Sequence, residues 1–274
     1  MSDTRIAWTM PTDFRDWYDT PLYYDIIFDA DSAREALFLE TVWTIFGEKS
    51  RTRRVLEPAC GSGRLMLEMA RRGWKADGFD GNDKMLAFAR QRLEKEGFKV
   101  RLWSDWMQSF TGVRPDYYDL AHCLVSTFKY LLTEGDATAC LNRVSQTLKP
   151  GGIFVLGLHL SNYGTASEEH ERWTASRDDI HVVCNTHTWP PDRKTRLENL
   201  RTRLKIVHGA RHHVQETRWQ FRTYTARQLK SLLGKVPELE LQMCYDFTYD
   251  VEQPRKLDDS YPDIILVLRK RPRP

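Results

Sequence analysis

The chain has 274 residues, of which 41% are hydrophobic and 12% are aromatic. This apolar content can bury a substantial core, which excludes an intrinsically disordered protein. The 41 Lys and Arg residues nearly balance the 38 Asp and Glu residues, so the overall charge predicts no attraction to a polyanion. The five cysteines form no CxxC pair and no apolar window approaches about 18 residues, so the sequence predicts no disulfide framework, no metal site and no membrane span. With no secretory signal at the N-terminus, we expect a cytoplasmic protein.

The first predicted element is a helix that begins at a capping box, Ser32 to Glu35, and ends at Gly47. Asn82 and Asp136 are predicted to cap two later helices. The elements predicted between residues 54 and 158 are strand 54–58, helix 64–72, strand 75–80, helix 82–95, strand 100–103, strand 119–125, helix 136–148 and strand 153–158. This alternation of strands and helices is typical of parallel βαβ units in a doubly wound α/β sheet, where ligands bind at the carboxyl ends of the strands.

The pattern changes after residue 160. Three strands, at 181–188, 196–207 and 213–224, predict an antiparallel insert after the fifth strand of the sheet. Thr225 and Gln228 then predict a short capped helix, and strands at 239–245 and 263–268 complete the sheet. We therefore expect a Rossmann-like, mostly parallel seven-stranded α/β sheet with an antiparallel β insert. The predicted domain boundaries are 1–160 for the N-terminal helices and α/β core, 161–224 for the insert, and 225–274 for the last helix and two strands.

A glycine-rich turn ends the first predicted strand, in the segment VLEPACGSG from Val55 to Gly63. Gly61 and Gly63 allow the backbone to approach a ligand closely, because neither carries a Cβ atom. Met66 stands where the nicotinamide fingerprint requires a third glycine, and no Gly-Lys-Ser/Thr of a phosphate-binding loop follows. By itself, the turn indicates only that a backbone meets a ligand at the start of a helix.

Two acidic residues at later strand ends narrow the class of ligand. Asp80 is placed to accept hydrogen bonds from both ribose hydroxyls of an adenosine. Asp105 and Trp106 follow the third strand, where a carboxylate suits the adenine amino group and a flat ring suits its face. Together they predict an adenosine-containing ligand.

With these motifs in order, the chain resembles the class I S-adenosylmethionine-dependent methyltransferases of the small-molecule type. The resemblance covers about residues 18–160, through the segments VLEPACGSG, GFDGNDKML, SDW, YDLAHCLVSTFKYL and LKPGGIFVL. Two residues depart from the usual pattern, since Ala59 stands where many members have glycine and Asn82 where serine is common. The resemblance implies that S-adenosyl-L-methionine is the cofactor. The residues that it implies in cofactor binding are Tyr18, Glu57, Ala59, Gly61, Gly63, Asp80, Gly81, Met85, Asp105, Trp106 and Leu124.

The N-terminal segment from Asp16 to Asp25 resembles the tyrosine-bearing lead that folds over the cofactor in many relatives, which makes Tyr23 and Tyr24 alternatives to Tyr18. His159, just past the fifth strand, is the first choice for a catalytic base, and its alternative role is a packed histidine at a strand end. His122 is expected in the core.

The expected function is methyl transfer to an N or O atom of a small-molecule acceptor, with the insert as a substrate lid. The basic excess of the insert favours an acidic or phosphorylated acceptor, or else marks a solvent-exposed outer face. A nucleic-acid acceptor is disfavoured, because the motifs of base methylation are absent. The alternatives are an RNA or protein methyltransferase and a non-catalytic S-adenosylmethionine-binding regulator. The sequence leaves the oligomeric state open.

Overall fold

The computed structural model describes residues 11–164 and 167–272. Its β-strands are β1 Thr12–Phe14, β2 Arg54–Pro58, β3 Lys75–Asp80, β4 Arg101–Ser104, β5 Tyr118–Cys123, β6 Leu148–His159, β7 Glu169–Arg177, β8 Ile180–Thr188, β9 Leu197–His208, β10 Arg211–Arg222, β11 Leu239–Tyr245 and β12 Asp263–Lys270. Its α-helices are α1 Pro21–Phe28, α2 Ser32–Phe46, α3 Arg64–Arg71, α4 Asp83–Lys95, α5 Glu134–Thr147 and α6 Ala226–Leu233.

Seven strands form the central sheet, in the order β11-β12-β6-β5-β2-β3-β4. The strands from β2 to β6 pair in parallel, whereas β12 is antiparallel to both β6 and β11. Side chains of α5 and α6 bury one face of the sheet, and those of α2 and α3 bury the other. The predicted doubly wound fold is therefore confirmed. Among the residues that the structure describes, no helix combines the length and the apolarity needed to cross a bilayer.

The insert forms a second sheet with more strands than the sequence predicted. Its order is β1-β10-β9-β8-β7, so four consecutive antiparallel strands are joined by β1, which pairs in parallel with β10. The prediction of three strands missed β7, because its sequence EHERWTASR is largely exposed and shows no regular alternation of apolar side chains. The prediction also missed β1, since three residues carry no periodic pattern.

Two predicted helix caps are confirmed. The Asn82 side chain accepts hydrogen bonds from two backbone N–H groups in the first turn of α4. Thr225 and Gln228 form the predicted reciprocal capping box at α6.

Two other predicted caps are wrong. No side chain caps α2, because Glu35 forms a buried ion pair with Arg64 instead of turning back to Ser32. At α5 the capping residue is Thr133, whose hydroxyl accepts the backbone N–H of Asp136 at 3.0 Å. Glu35 thus links α2 to the helix that follows the glycine-rich turn.

Candidate functional site

The turn after β2 has a backbone conformation that few residue types adopt. Ala59, Gly61 and Gly63 have φ values of 54°, 54° and 70°. A Cβ on Gly63 would lie 2.9 Å from that of Ala89, so this glycine allows α3 to pack against α4, whereas a Cβ on Gly61 would meet no atom within 4 Å. Gly61 therefore adopts without strain a φ value that side chains disfavour, and it leaves the space above the turn open. The positive φ of Ala59 also explains why glycine is common at this position in the family that the sequence resembles.

Asp80, the last residue of β3, supports this turn. Its Oδ2 atom accepts the N–H of Gly61 at 2.8 Å, and its Oδ1 atom accepts the N–H of Asn82 at 2.8 Å. Burial raises the pKa of Asp80, although both hydrogen bonds favour the ionised form. The carboxylate lies at the carboxyl edge of the parallel strands, where ligands bind in this fold.

A small cavity of about 30 Å³ lies against the turn, and Glu57, Ala59, Gly61 and Leu124 are part of its lining. The Oε2 atom of Glu57 is buried and has no hydrogen-bond partner among the described residues. Desolvation raises the pKa of Glu57 to about 8. Glu57 is thus a buried acceptor that can receive a donor from a ligand.

His122 does not supply that donor. Its Nδ1 atom lies 3.9 Å from Oε1 of Glu57, and burial lowers the pKa of His122 to about 3, so the ring is neutral. His122 is buried in β5, as the sequence predicts.

A large cavity of about 620 Å³ lies between the central sheet and the insert. Its carboxylates come from Glu169, Glu171, Glu198, Asp259 and Asp263, its ammonium group from Lys129 and its imidazole from His159. Tyr24, Val125 and Thr127 line both cavities, so the large one adjoins the small one at these residues.

The basic residues of the insert lie elsewhere. On β9 the buried Thr202 and Leu204 alternate with Arg201, Arg203 and Lys205, which line a separate surface depression. The expectation of an acidic acceptor is not supported, because these basic side chains do not line the large cavity, whose charged side chains are mainly acids.

The N-terminal tyrosines, Tyr18 just before α1 and Tyr23 and Tyr24 on it, differ in their access to the cavities. Tyr18 and Tyr24 line the large cavity, and the hydroxyl of Tyr18 donates a hydrogen bond to that of Tyr130 at 2.8 Å. Tyr23 lies outside both linings, with its ring 5.4 Å from that of His213 on the insert. Of the three predicted alternatives, Tyr18 and Tyr24 therefore have access to the cavities.

A buried aspartate attaches α1 to the turn and to the insert. Asp25 is fully buried and accepts hydrogen bonds from the Ser62 hydroxyl at 2.6 Å, from Arg177 at 2.8 Å and from Arg92. These partners belong to the turn, to β7 and to α4, so one carboxylate joins three parts of the site. Sequence analysis missed this residue, since nothing local distinguishes Asp25 from a surface acid.

The residues predicted around an adenosine lie near Asp80 but differ in accessibility. Trp106 is 62% exposed, and its ring packs so closely on Gly81 that a Cβ there would lie 2.7 Å from it. The Asp105 carboxylate accepts the N–H groups of Trp106 and Thr111, each at 2.9 Å. Met85 is fully buried and lines neither cavity.

The backbone is strained where the two cavities meet. Val125 and Ser126 have φ values of 53° and 62°, a region that non-glycine residues rarely adopt. Such strain concentrates at functional sites, where surrounding contacts maintain it. Here the Ser126 hydroxyl accepts the backbone N–H of His159 at 3.0 Å, which ties the end of β5 to the end of β6.

His159 lies in the wall of the large cavity, at the end of β6. Its Nδ1 atom contacts the carboxylate of Asp263, its cross-strand partner on β12. The ring orientation is thereby fixed, which leaves Nε2 available to a ligand. Sequence analysis missed Asp263, because a separation of 104 residues gives no local signal.

One group of possible metal ligands occurs on the insert, although the sequence predicted none. Ligand atoms of Glu168, His170 and His187 lie within 4.8 Å of one another. The two rings are stacked with centroids 4.2 Å apart, and both Nε2 atoms face the Oε2 atom of Glu168, which lies 2.9 Å from that of His187 and 4.0 Å from that of His170.

Comparison with known proteins identifies the core. Residues 55–152 match the family model described as a methyltransferase domain. The chain contains a class I S-adenosylmethionine-dependent methyltransferase domain. The chain is 31% identical over 121 residues to YqeM of Bacillus subtilis (strain 168), a protein provisionally described as a methyltransferase; the match covers 43% of this chain and 48% of YqeM. The chain thus spans about half the length of this relative.

Solved structures resemble the methyltransferase domain together with the insert. An S-adenosylmethionine-dependent methyltransferase from Clostridium acetobutylicum ATCC 824 superposes with a TM-score of 0.72 at 18% identity, over 93% of this chain and 99% of that one. The sugar N-methyltransferase KedS8 from Streptoalloteichus sp ATCC 53650 gives a TM-score of 0.71 at 17% identity, over 99% of both chains. At these identities the likeness shows the shared fold.

Proposed function

We propose that this protein transfers a methyl group from S-adenosylmethionine to a nitrogen or oxygen atom of a small molecule. The observation that carries the proposal is the junction of the two cavities at Tyr24, Val125 and Thr127. A donor bound over the glycine-rich turn would lie beside a chamber of about 620 Å³, a size typical of small-molecule sites.

The residues around the turn fit this donor. The buried, unpartnered Oε2 of Glu57 suits the ammonium group of the donor's methionine portion, and Asp80 is placed for ribose hydroxyls. The exposed ring of Trp106 suits the adenine face. The other residues that we propose in donor binding are Tyr18, Ala59, Gly61, Gly63, Gly81, Met85, Asp105 and Leu124.

S-adenosylmethionine supplies an electrophilic methyl group when bound, so the protein's main task is to position the acceptor and exclude water. Tyr18 and Tyr24 cover one side of the junction, and residues 161–224 cover the chamber as a substrate lid. His159 would accept the proton of an acceptor through Nε2, while Asp263 holds its ring. Residues 1–160 and 225–274 together build the α/β domain that carries the donor.

A small molecule is favoured over RNA or protein by the position of the charges. The carboxylates of Glu169 and Glu171 line the chamber, where they would repel phosphates, whereas Arg201 and Arg203 of β9 line the surface depression, which Glu171 also borders, and not the chamber. The sugar substrate of KedS8, which shares the fold, agrees with an acceptor of this size.

Calorimetric titration with S-adenosylmethionine and S-adenosylhomocysteine tests the donor, and release of S-adenosylhomocysteine against a panel of small amines and alcohols tests transfer. We expect donor binding and turnover with at least one acceptor. Donor binding without turnover on any acceptor would favour a regulator, and absence of donor binding would overturn the proposal.

Replacing Glu57 with Gln is expected to stabilise the donor-free protein at neutral and alkaline pH while weakening donor binding. The folded-state pKa of about 8 exceeds the ordinary glutamate pKa of 4.5, so the folded protein binds the extra proton and loses stability as the pH rises between these values. The loss amounts to about 1.4 kcal/mol for each unit of difference. Gln cannot ionise and should remove this loss, as thermal unfolding across the pH range will measure. If the stability of the two proteins depended on pH in the same way, the raised pKa would not belong to Glu57.

Replacing His159 with Asn is expected to lower kcat by about a hundredfold or more with an acceptor that must lose a proton. Donor affinity should stay unchanged, because His159 lies outside the small cavity. Asp263→Asn should lower kcat less, since it removes only the group that orients the ring. A kcat for His159→Asn equal to that of the unmodified protein would assign His159 to packing alone.

A further inference from the structure

The wall of the large cavity carries more carboxylates than basic side chains. Lys129 forms a buried ion pair with Glu198 at 2.7 Å, and His159 is paired with Asp263. Of the other three carboxylates, that of Asp259 accepts the backbone N–H of Ala226 at 2.6 Å, whereas within residues 11–164 and 167–272 those of Glu169 and Glu171 form no hydrogen bond or ion pair. A cavity with this arrangement attracts a cation and repels an anion.

Glu171 lies at the end of the cavity that contains His159. It lies on the same face of β7 as Trp173, and both line the cavity. Its electrostatic neighbours are His159, Glu169 and Asp263, so the carboxylate lies in the surroundings of the proposed base. Partial desolvation raises the pKa of Glu171, His159 lowers it, and Glu169 and Asp263 raise it further. A cationic ligand beside this carboxylate would favour its ionised form.

Aromatic rings supply the rest of the wall. Trp17 and Trp219 are stacked with centroids 4.9 Å apart, and both line the cavity with Phe221. Trp173, from β7, is 40% exposed and lies two residues from Glu171. Ring faces attract ammonium groups, most strongly where water is partly excluded. Carboxylate and rings together therefore match a substituted ammonium ion better than an alcohol, a phosphate or a carboxylic acid.

Building on the proposed function, we infer that the methyl acceptor is an amine that binds as its ammonium form, held by Glu171 against the tryptophan wall. An alkyl amine with a pKa of about 10 is protonated near neutral pH and has no free electron pair. It must therefore lose one proton before it can attack, and Nε2 of His159 is the group available to accept it.

The reaction is balanced without a further reactant. One N–H proton passes to His159, and the freed nitrogen pair forms the N–C bond. The pair of the broken C–S bond stays on sulfur, and the methylated product is again an ammonium ion. His159 then releases its proton to solvent.

Two pairs of probes test the inference without turnover. One pair is benzylamine and benzyl alcohol, and the other is phenethylamine and phenethyl alcohol. Within each pair, one molecule carries an ammonium group where the other carries a hydroxyl group. Titrations of the protein saturated with S-adenosylhomocysteine, followed by calorimetry and by the fluorescence of the cavity tryptophans, should show each amine binding about tenfold or more tightly than its alcohol. Glu171→Gln should remove most of this preference, whereas Glu94→Gln, on the exposed surface of α4, should preserve it.

Alcohols that bind as tightly as the amines would overturn the inference, as would failure of either amine to bind at millimolar concentration. A preference unchanged in Glu171→Gln would also overturn it. Failure of S-adenosylhomocysteine itself to bind would instead contradict the proposed function, so the two failures are distinguishable.

Discussion

Asp80→Ala is expected to weaken S-adenosylmethionine binding by about 1.5 to 3 kcal/mol, the range for a hydrogen bond to a charged group. In the proposed site the carboxylate binds the ribose hydroxyls. It also accepts the N–H groups of Gly61 and Asn82, so its loss releases the turn as well. Calorimetric titration should therefore show an affinity lower by roughly tenfold to a hundredfold.

A matched control is available three residues further along the chain. Asp83 is exposed in the first turn of α4, and Asp83→Ala makes the same change of charge without touching the turn. Its donor affinity should equal that of the unmodified protein. Equal affinities in the two variants would remove Asp80 from the donor site.

Arg64→Ala is expected to lower the free energy of unfolding by about 3 to 5 kcal/mol, because it leaves a buried carboxylate without its partner. Arg64 and Glu35 have side chains that are 10% and 4% exposed, and the Arg64 guanidinium also donates to Ser32 at 3.1 Å. The loss is a large fraction of the stability of an ordinary domain, about 5 to 15 kcal/mol. Urea unfolding, monitored by tryptophan fluorescence, measures it.

Arg71, on the same helix, separates the effect of burial from that of charge. It pairs with Glu68 at 2.6 Å and Glu96 at 3.1 Å, but its side chain is 45% exposed. Arg71→Ala should cost at most about 1 kcal/mol. Adding Glu35→Gln to Arg64→Ala should restore part of the stability, since it removes the stranded charge. Equal losses for the two arginines would show that the buried pair is not structural.

The central sheet was predictable because its elements carry local signals. The strand 75–80 is predicted at the bounds of β3, and the Asn82 cap follows from residues within one helical turn. The sequence predicted an antiparallel insert but too few strands in it. It missed β7, which has charged residues on its outer face and Glu171 on the face that lines the cavity. Alternation of apolar and polar residues indicates a strand with one face buried in a core. A strand that lines a cavity buries little of either face and shows little such alternation.

The donor turn and the acceptor cavity differ in how many of their residues could be predicted from the sequence. Gly61 and Asp80 lie at neighbouring strand ends of one βαβ unit, so their closeness follows from the order of motifs. His159 was found in the same way, at the end of a strand. Its partner Asp263 and the acid Glu171 come from distant segments that meet only when β12 and the insert are in place.

The sequence by itself determined the domain class and the candidate donor turn, because a short glycine-rich turn and a strand-end carboxylate can be recognised from the residues of a single βαβ unit. Only the tertiary structure decided the character of the acceptor chamber. The basic excess of the insert suggested an acidic or phosphorylated acceptor or else an exposed outer face, and alternation along β9 turns Arg201 and Arg203 outward, while Glu171 lines the cavity. The charge of a chamber depends on which face of each strand borders it, and that is set by how the second sheet packs on the first.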